Sequence, residues 1–219
     1  MKKRCCVLAL ASLVVSSCGT GPPIRKDSRL VVKEVRIPKD EPWISRFARH
    51  TWMDYRPNPQ GPRRRIEIVN KSSGLVHREI SEEDFAAKSR WGEKVVILGQ
   101  SDGQAHPDFA SDIARFADSY DTSGYRAYPG PNSNTFAENL LRKVPAVSAV
   151  LDHNAVGKEW GFYAGPTAGG TGVELQTPLI GGAIGLREGV EFSLIGLSGG
   201  VSLFPPSLKI PFLPPLPRW

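Results

Sequence analysis

The sequence predicts an α+β domain in which a small antiparallel sheet carries packed helices, followed by a Gly-rich extension of short strands. Several segments before residue 100 alternate apolar and polar residues, which is typical of half-buried strands. Two later segments repeat apolar residues at spacings of three and four, as amphipathic helices do. After Trp160, glycines separate short apolar–polar runs in the pattern of antiparallel strands joined by tight turns.

The first segment, residues 1–17, predicts an export signal. Met1–Arg4 is basic, and Val7–Val15 is apolar but too short to span a bilayer. Val15–Cys18 resembles a bacterial lipobox, which predicts cleavage before Cys18 and acylation of that cysteine with chains such as palmitate. An ordinary secretory peptide with a chance cysteine is the alternative.

Acylation would make residues 18–29 a tether. Several acyl chains on one residue hold a protein stably at a membrane, so we expect a bacterial envelope lipoprotein on the periplasmic side. Cys5 and Cys6 would leave with the signal, and the mature chain would then have no disulfide, no thiol nucleophile and no cysteine metal site. We expect no cofactor.

The charge of the chain gives little information about partners. The net charge is +6, and loss of three basic residues with the signal leaves 25 basic against 22 acidic residues, or +3. Arg63–Arg65 is the densest basic cluster, and a solvated turn before a strand explains it better than a nucleic-acid surface, which needs a basic face with stacking aromatics. We expect no nucleic-acid partner.

The core is predicted to span residues 30–160 and to begin with four strands. The second and third form a hairpin around the Pro-rich loop 57–62. A helix over Pro107–Tyr120 follows, with Phe109, Ile113 and Phe116 on its apolar side. The predicted strands are Leu30–Ile37, Phe47–Tyr55, Arg65–Asn70 and Glu93–Leu98.

A second helix follows Pro129–Pro131, which cannot continue regular structure. Phe136, Leu140 and Val144 recur at helical spacing, and the helix is expected to end near Lys143. Ser133 would then lie at the helix N-terminus. Unpaired N–H groups and a partial positive charge there can stabilise an anion or a nucleophile.

The rest of the chain divides into a β extension of the same domain, residues 161–207, and a Pro-rich apolar tail, residues 208–219. The tail can be neither a helix nor a central strand, because proline lacks the N–H that both require. It is expected to cover a hydrophobic surface patch or to contact the membrane. The predicted strands of the extension are Gly172–Thr177, Ile180–Leu186, Val190–Leu197 and Val201–Phe204.

Several short motifs resemble the bacterial domain-of-unknown-function family 3750. They are His50–Trp52, Tyr128–Phe136, Ala155–Lys158, Gly172–Leu175, Gly189–Phe192 and Leu208–Pro211. The resemblance covers residues 44–211, and the octapeptide that begins at Pro129 is its most specific part. It implies kinship without a function, because the activity of that family is not established.

A more distant resemblance concerns His50 and Asn132–Phe136. A histidine on an early strand, followed by Asn-Cys-Asn-x-Phe at the start of a helix, is similar to the circularly permuted papain-like hydrolases. These include the desumoylating isopeptidases and the lecithin retinol acyltransferases. The resemblance implies a small antiparallel sheet with the nucleophile-bearing helix packed on it. Ser133 stands where those enzymes have cysteine.

That departure changes the chemistry. A helix N-terminus stabilises a negative charge by at most about 2 kcal/mol, enough to bring a thiol near its thiolate but not to ionise a serine. Ser133 would need His50 as a general base, with Glu67 to orient the imidazole. Backbone N–H groups with Asn132 or Asn134 would hold an oxyanion, and Trp52 would contact the ligand.

Each of these residues also has a simpler interpretation. Thr135 and Glu138 match a capping box, in which case the motif serves simply to begin a helix and has no functional role. His50 could be a structural histidine, and Glu67 could face solvent beside the arginines. Asp102, His106 and Asp108 have metal-ligand chemistry, but their spacing matches no closed site, so we expect no metal and a helix-capping role instead.

Two functions therefore compete. One is a binding or scaffold lipoprotein that kept a papain-like cleft and lost the cysteine chemistry, and this is the favoured hypothesis. The other is an amide or ester hydrolase or acyltransferase that uses Ser133 and His50 on an envelope substrate such as a peptidoglycan peptide or a lipid. A structural lipoprotein whose apolar tail contacts the membrane or a partner is a third hypothesis.

Overall fold

The computed structural model describes residues 22–38 and 47–217 and shows a mixed fold of helices and antiparallel sheets. The predicted signal, Cys18 and the start of the tether lie outside these residues. The first sheet has the strand order β4-β3-β2-β1-β7. Its strands are β1 (Leu30–Arg36), β2 (Arg49–Tyr55), β3 (Arg63–Ile68), β4 (Leu75–Ile80) and β7 (Val96–Ser101), and a two-stranded ribbon β5 (Ser89–Arg90) and β6 (Glu93–Lys94) precedes β7.

Two helices, α2 (Phe109–Ser119) and α3 (Ser133–Lys143), belong to the apolar core on one face of this sheet. Phe109 and Ile113 of α2 and Phe136 and Leu140 of α3 are almost fully buried together with Ile66 of β3. Their spacing of four residues places them on one side of each helix. The position of Ser133 at the first turn of α3 follows from this packing.

The opposite face of the first sheet is buried and charged. Nζ of Lys33 lies 2.8 Å from Oδ2 of Asp54, and Arg65 donates to both oxygens of Asp54, at 2.7 and 3.0 Å. The short helix α1 (Glu82–Ala86) covers them with Phe85, whose ring lies 3.4 Å from the guanidinium carbon of Arg63. Buried charges persist where they are paired and hydrogen-bonded, as these are.

The second sheet is a six-stranded antiparallel meander in the order β13-β12-β11-β10-β9-β8. It lies against the core through charged side chains. Lys158 binds Glu191 at 2.7 Å, and Arg142 of α3 binds Glu174 at 2.7 Å. The strands are β8 (Tyr163–Pro166), β9 (Gly172–Gln176), β10 (Ile180–Gly185), β11 (Gly189–Leu194), β12 (Leu197–Leu203) and β13 (Pro206–Lys209).

Most predicted elements are confirmed with shifted ends, including both long helices and the hairpin of β2 with β3. β4 and α1 were not predicted, and the predicted strand Glu93–Leu98 is divided between β6 and β7. The interpretation of Arg63–Arg65 as a solvated turn is wrong. Arg63 and Arg65 are 6% exposed within β3, because Glu82 and Asp54 pair with them.

Both ends of the described chain lie on the domain. Gln100 of β7 bonds to the carbonyl of Pro23 and to the N–H of Arg25, so the described part of the predicted tether follows the first sheet. The Pro-rich tail is held by His153, 2.9 Å from the carbonyl oxygen of Leu213, and by Asn154, which accepts the N–H of Phe212 at 2.7 Å. No helix within the described residues has the length and apolar character needed to cross a membrane.

Candidate functional site

The N-terminus of α3 is built by Asn132. Its Oδ1 accepts the N–H groups of Asn134 and Thr135 at 2.9 and 3.2 Å, and Oγ1 of Thr135 accepts the N–H of Asn132 at 3.0 Å. This reciprocal pair is a capping box. The predicted box of Thr135 with Glu138 is therefore wrong by three positions, and Glu138 instead lies 3.4 Å from Arg142.

The segment Ala155–Lys158 holds this helix start in place. Asn132 donates through Nδ2 to the carbonyl oxygen of Val156 at 2.9 Å, and Thr135 donates to that of Gly157 at 2.5 Å. Gly157 has φ +80°, and a β-carbon there would fall 2.4 Å from Nδ2 of Asn132. Glycine is required at this position because both the backbone angle and the close approach exclude a side chain.

Asn134 ties α3 to strand β2 beside His50. Its Nδ2 donates to the carbonyl oxygens of Arg49 and Val156, at 2.8 and 3.1 Å, whereas its Oδ1 is buried and has no hydrogen-bond partner among the described residues. Asn132 likewise donates to two carbonyls, of Ala127 and Val156. Because the amide hydrogens of both side chains are engaged, an oxyanion held by either would have to displace a carbonyl. That predicted role stays a prediction.

His50 and Glu67 form a buried pair. Nε2 of His50 lies 2.8 Å from Oε2 of Glu67, and both side chains are 2% exposed. Arg90 donates to the two carboxylate oxygens at 2.8 and 3.1 Å. Glu67 therefore does not face solvent, and its carboxylate, held by Arg90, fixes the imidazole ring.

The protonation of this pair follows from its burial and hydrogen bonds. Burial lowers the pKa of His50, against the opposing effect of Glu67. Burial acts to raise the pKa of Glu67, but the hydrogen bonds from His50 and Arg90 outweigh it and bring that pKa down to about 2. The imidazole is thus neutral near pH 7 and donates its Nε2–H to an ionised carboxylate, which leaves Nδ1 as the basic nitrogen.

Two tryptophans flank His50 and have different positions. Trp52 stacks on the imidazole with ring centroids 5.8 Å apart and is 2% exposed, so it packs behind His50. Trp91 lies 5.2 Å from the imidazole and is 41% exposed. Trp91 lines the cleft described next, whereas Trp52 does not.

A cleft of about 430 Å³ brings His50 and the start of α3 together. Its wall includes Arg49, His50, Trp91, Tyr128, Ser133 and Asn134. No described residue hydrogen-bonds to Oγ of Ser133, so the structure has no direct Ser133–His50 hydrogen bond. The cleft therefore combines a partly exposed arginine, an aromatic wall and an unbonded hydroxyl at a helix N-terminus.

Sequence reasoning missed Arg49, Arg90 and Trp91. Arg49 directly precedes His50 and is the first residue of β2. It could have been considered because both residues stand at the end of the strand that adjoins the cleft. Arg90 and Trp91 come from the ribbon before β7, and their approach to His50 depends on tertiary packing. The chain near them carries no local sign of it.

The residues weighed as metal ligands have local roles. Oδ1 of Asp102 accepts the N–H of Gln104 at 3.0 Å in a turn. Asp108 stands at the N-cap of α2, but its side chain makes no capping hydrogen bond, so the predicted capping role is wrong for this residue. Within the described ranges, no three or more His, Cys, Asp or Glu side chains converge on a metal position.

Comparison with known proteins gives one match. A family model described as "Protein of unknown function (DUF3750)" matches residues 31–160, which is more than half of the chain. The matched part includes all of the first sheet except Leu30, helices α1 to α3 and the cleft residues named above. No curated protein and no solved structure matches the chain.

Proposed function

The chain belongs to the DUF3750 family, and we propose that this member is an envelope lipoprotein whose cleft binds a peptide fragment of peptidoglycan through a carboxylate. The observation that carries the proposal is that one cleft contains Arg49, the N-terminus of α3 and the hydroxyl of Ser133, to which no described residue hydrogen-bonds. A helix N-terminus and a guanidinium both favour an anion. Peptidoglycan peptides bring carboxylates and amides in one ligand.

The walls of the cleft suit such a ligand. Trp91 and Tyr128 offer apolar surface to a peptide backbone or to short aliphatic side chains. Oδ1 of Asn134, buried and unpartnered, is an acceptor that a ligand N–H can satisfy after a small movement of the wall. An anion at one point and an N–H donor nearby together describe an amino-acid or peptide carboxylate.

Three features favour binding over catalysis. Oγ of Ser133 has no base bonded to it among the described residues, although serine, unlike cysteine, depends on one. The charge of Glu67 is shared with Arg90, which reduces its ability to stabilise an imidazolium at His50. The side-chain amides at the helix start already donate to carbonyls.

The same proposal includes a lipid anchor at Cys18 and a permuted papain-like arrangement of α3 and the first sheet. Acylated Cys18 would hold the protein on the periplasmic side of a membrane, as the lipobox-like Val15–Cys18 predicts. A permuted papain-like arrangement is supported by the packing of α3 against β2 and β3, which brings the Ser133 end of the helix to the strand that carries His50.

The binding proposal is tested by titrating the protein with purified soluble muropeptides while recording tryptophan fluorescence, which reports on Trp91. Trp91 is one of five tryptophans in the chain, so the same titration of Trp91→Phe assigns the signal to the cleft. We expect a saturable change whose affinity Arg49→Gln weakens at least about tenfold, the usual cost of losing a charged hydrogen bond. Arg115→Gln, which removes an exposed arginine from α2, should leave it unchanged. An equal response of the parent and both arginine variants, or no response, contradicts the proposal.

A serine hydrolase or acyltransferase is the second candidate, favoured by the 2.8 Å contact between His50 and Glu67. That contact leaves Nδ1 of His50 as the basic nitrogen, and His50 and Ser133 line the same cleft. A fluorophosphonate probe, followed by intact mass spectrometry, should give one adduct that Ser133→Ala and His50→Ala abolish and that Ser111→Ala retains. A folded protein without an adduct rejects this candidate and leaves the binding proposal standing.

A further inference from the structure

The second sheet exposes an apolar face, called here the apolar sheet face. Val173, Ile184, Val190, Val201 and Leu208 are cross-strand partners in one row over β9 to β13. Alternate residues of the same strands extend the row in both directions. The large side chains of this face, all 40–64% exposed, are Val173, Leu175, Ile180, Ile184, Val190, Phe192, Leu194, Val201, Leu203 and Leu208.

The orientation of this sheet is fixed by its other face. Glu174 and Glu191 point inward, where Arg142 and Lys158 bind them, and Lys209 also pairs with Glu191. Side chains alternate across a strand, so the inward ion pairs oblige the apolar neighbours to point outward. A shift of one residue in the strand register would turn Glu174 and Glu191 outward. Arg142 and Lys158 would then be buried without their carboxylates.

The apolar sheet face is too large for an ordinary surface. Its ten large side chains, each at least 40% exposed, lie in one continuous patch. Apolar patches of more than a few hundred Å² are rare on soluble monomers and are typical of interaction sites. No charged residue interrupts it in β8 to β13 as described. The Pro-rich tail pairs with the edge strand β13 through Leu216 and Leu208, and it leaves the ten side chains at least 40% exposed.

The position of the N-terminal chain identifies what covers this face. Pro22, the first described residue, shares a surface pocket with Arg187 in the β10–β11 turn. Leu186 of that turn is 66% exposed beside the apolar sheet face. Cys18 is four residues upstream, a reach of at most about 14 Å. An acyl group on Cys18 would therefore enter a bilayer close to this edge of the face.

We propose that the apolar sheet face rests on the lipid bilayer to which Cys18 anchors the chain. The inner strands of the sheet have their backbone groups paired, which contact with hydrocarbon requires. Burial of the patch in the bilayer removes its apolar surface from water, a contribution that is independent of the acyl chains. Because the face is uncharged, its binding does not depend on anionic lipids.

The experiment uses the chain from Gly19 to its last residue. It lacks the acylated cysteine but keeps every residue whose contacts are described above. It is floated with neutral phosphatidylcholine vesicles at low and high salt, and its mass is measured by analytical ultracentrifugation without lipid. We expect binding at both salt concentrations. Phe192→Asp and Leu175→Asp should each weaken it at least about tenfold, since each places a charge on the apolar sheet face.

Ser111→Asp is the matched control, because it adds the same charge at an exposed position of α2 and should bind as the parent does. Circular dichroism should show all four proteins folded, since the three positions are exposed. A parent that stays monomeric and unbound overturns the proposal. So does a dimer that Phe192→Asp dissociates and that ignores vesicles, which would assign the face to a second copy. Binding only to anionic lipid at low salt also overturns it.

Discussion

The two sheets bury charge in opposite ways. In the first sheet both faces are covered. Lys33 and Arg65 pair with Asp54 on the face that α1 closes. In the second sheet the charged face is turned inward onto the core and the apolar face outward. Alternation in a strand thus shows that two faces differ, but the direction of each face depends on what its partners supply.

The largest effect is expected where the second sheet meets the core. Lys158→Met removes the buried cation that faces Glu191, Glu159 and Glu138, and leaves their carboxylates without it. The free energy of unfolding should fall by about 3–5 kcal/mol, the usual cost of breaking a buried ion pair from one side. Chemical denaturation measures it, with the exposed Lys143→Met as control. Equal stability of the two variants would mean that the inward charges do not hold the sheet.

The same substitution in the two sheets gives the sharpest contrast. Ile66→Ala in β3 empties a site that is 0% exposed and should cost about 2–5 kcal/mol. Ile184→Ala in β10 acts on a side chain that is 59% exposed and should change stability by less than about 0.5 kcal/mol in detergent-free buffer. Comparable losses in urea titrations would show that the apolar sheet face is covered within the protein itself.

A smaller effect should appear as a pH dependence that belongs to the first sheet. Burial raises the pKa of Glu34 in β1 to about 8. The folded state therefore binds a proton more tightly than the unfolded chain. This contribution is fully present below about pH 4.5 and is lost as the pH rises through about 8.

Glu34→Gln should flatten this decline. Unfolding free energies measured at intervals from pH 5 to pH 8.5 would show it as a loss of slope relative to the parent. Glu79→Gln, an exposed acid in β4, should keep the parent's slope. If Glu34→Gln declines as steeply as the parent, another group is responsible, and Glu138 is the next one to replace, since burial raises its pKa to about 7.

Local pattern accounts for much of the fold. The helical spacing in α2 and α3 and the alternation in β1 and β2 are properties of single segments, and these elements were predicted with small errors at their ends. The charged face of the first sheet could not be predicted, because Lys33, Asp54 and Arg65 each favour solvent when considered alone. They become compatible with burial only when the register of three strands brings them together.

The candidate site divides in the same way. Ser133 at a helix start followed from Pro131 and the apolar spacing after it, and the approach of His50 was inferred from a resemblance. The bidentate contact of Arg90 with Glu67 joins residues on different strands that share no local pattern. The Asn132–Thr135 cap was misplaced because Thr135 and Glu138 offer an equally good local box, and only the contact with Val156 and Gly157 selects between them.

The β11–β12 turn of the second sheet contacts the loops that surround the start of α3. The carbonyl oxygen of Gly196 accepts the N–H of Gly157 at 2.8 Å, and a β-carbon at Gly196 would fall 2.5 Å from the carbonyl oxygen of Pro129. The loop that aligns the cleft is therefore clamped to the sheet that carries the apolar face. A bilayer under that face would fix the orientation of the cleft relative to the membrane, so that ligands enter it from one direction and at one height above the membrane plane.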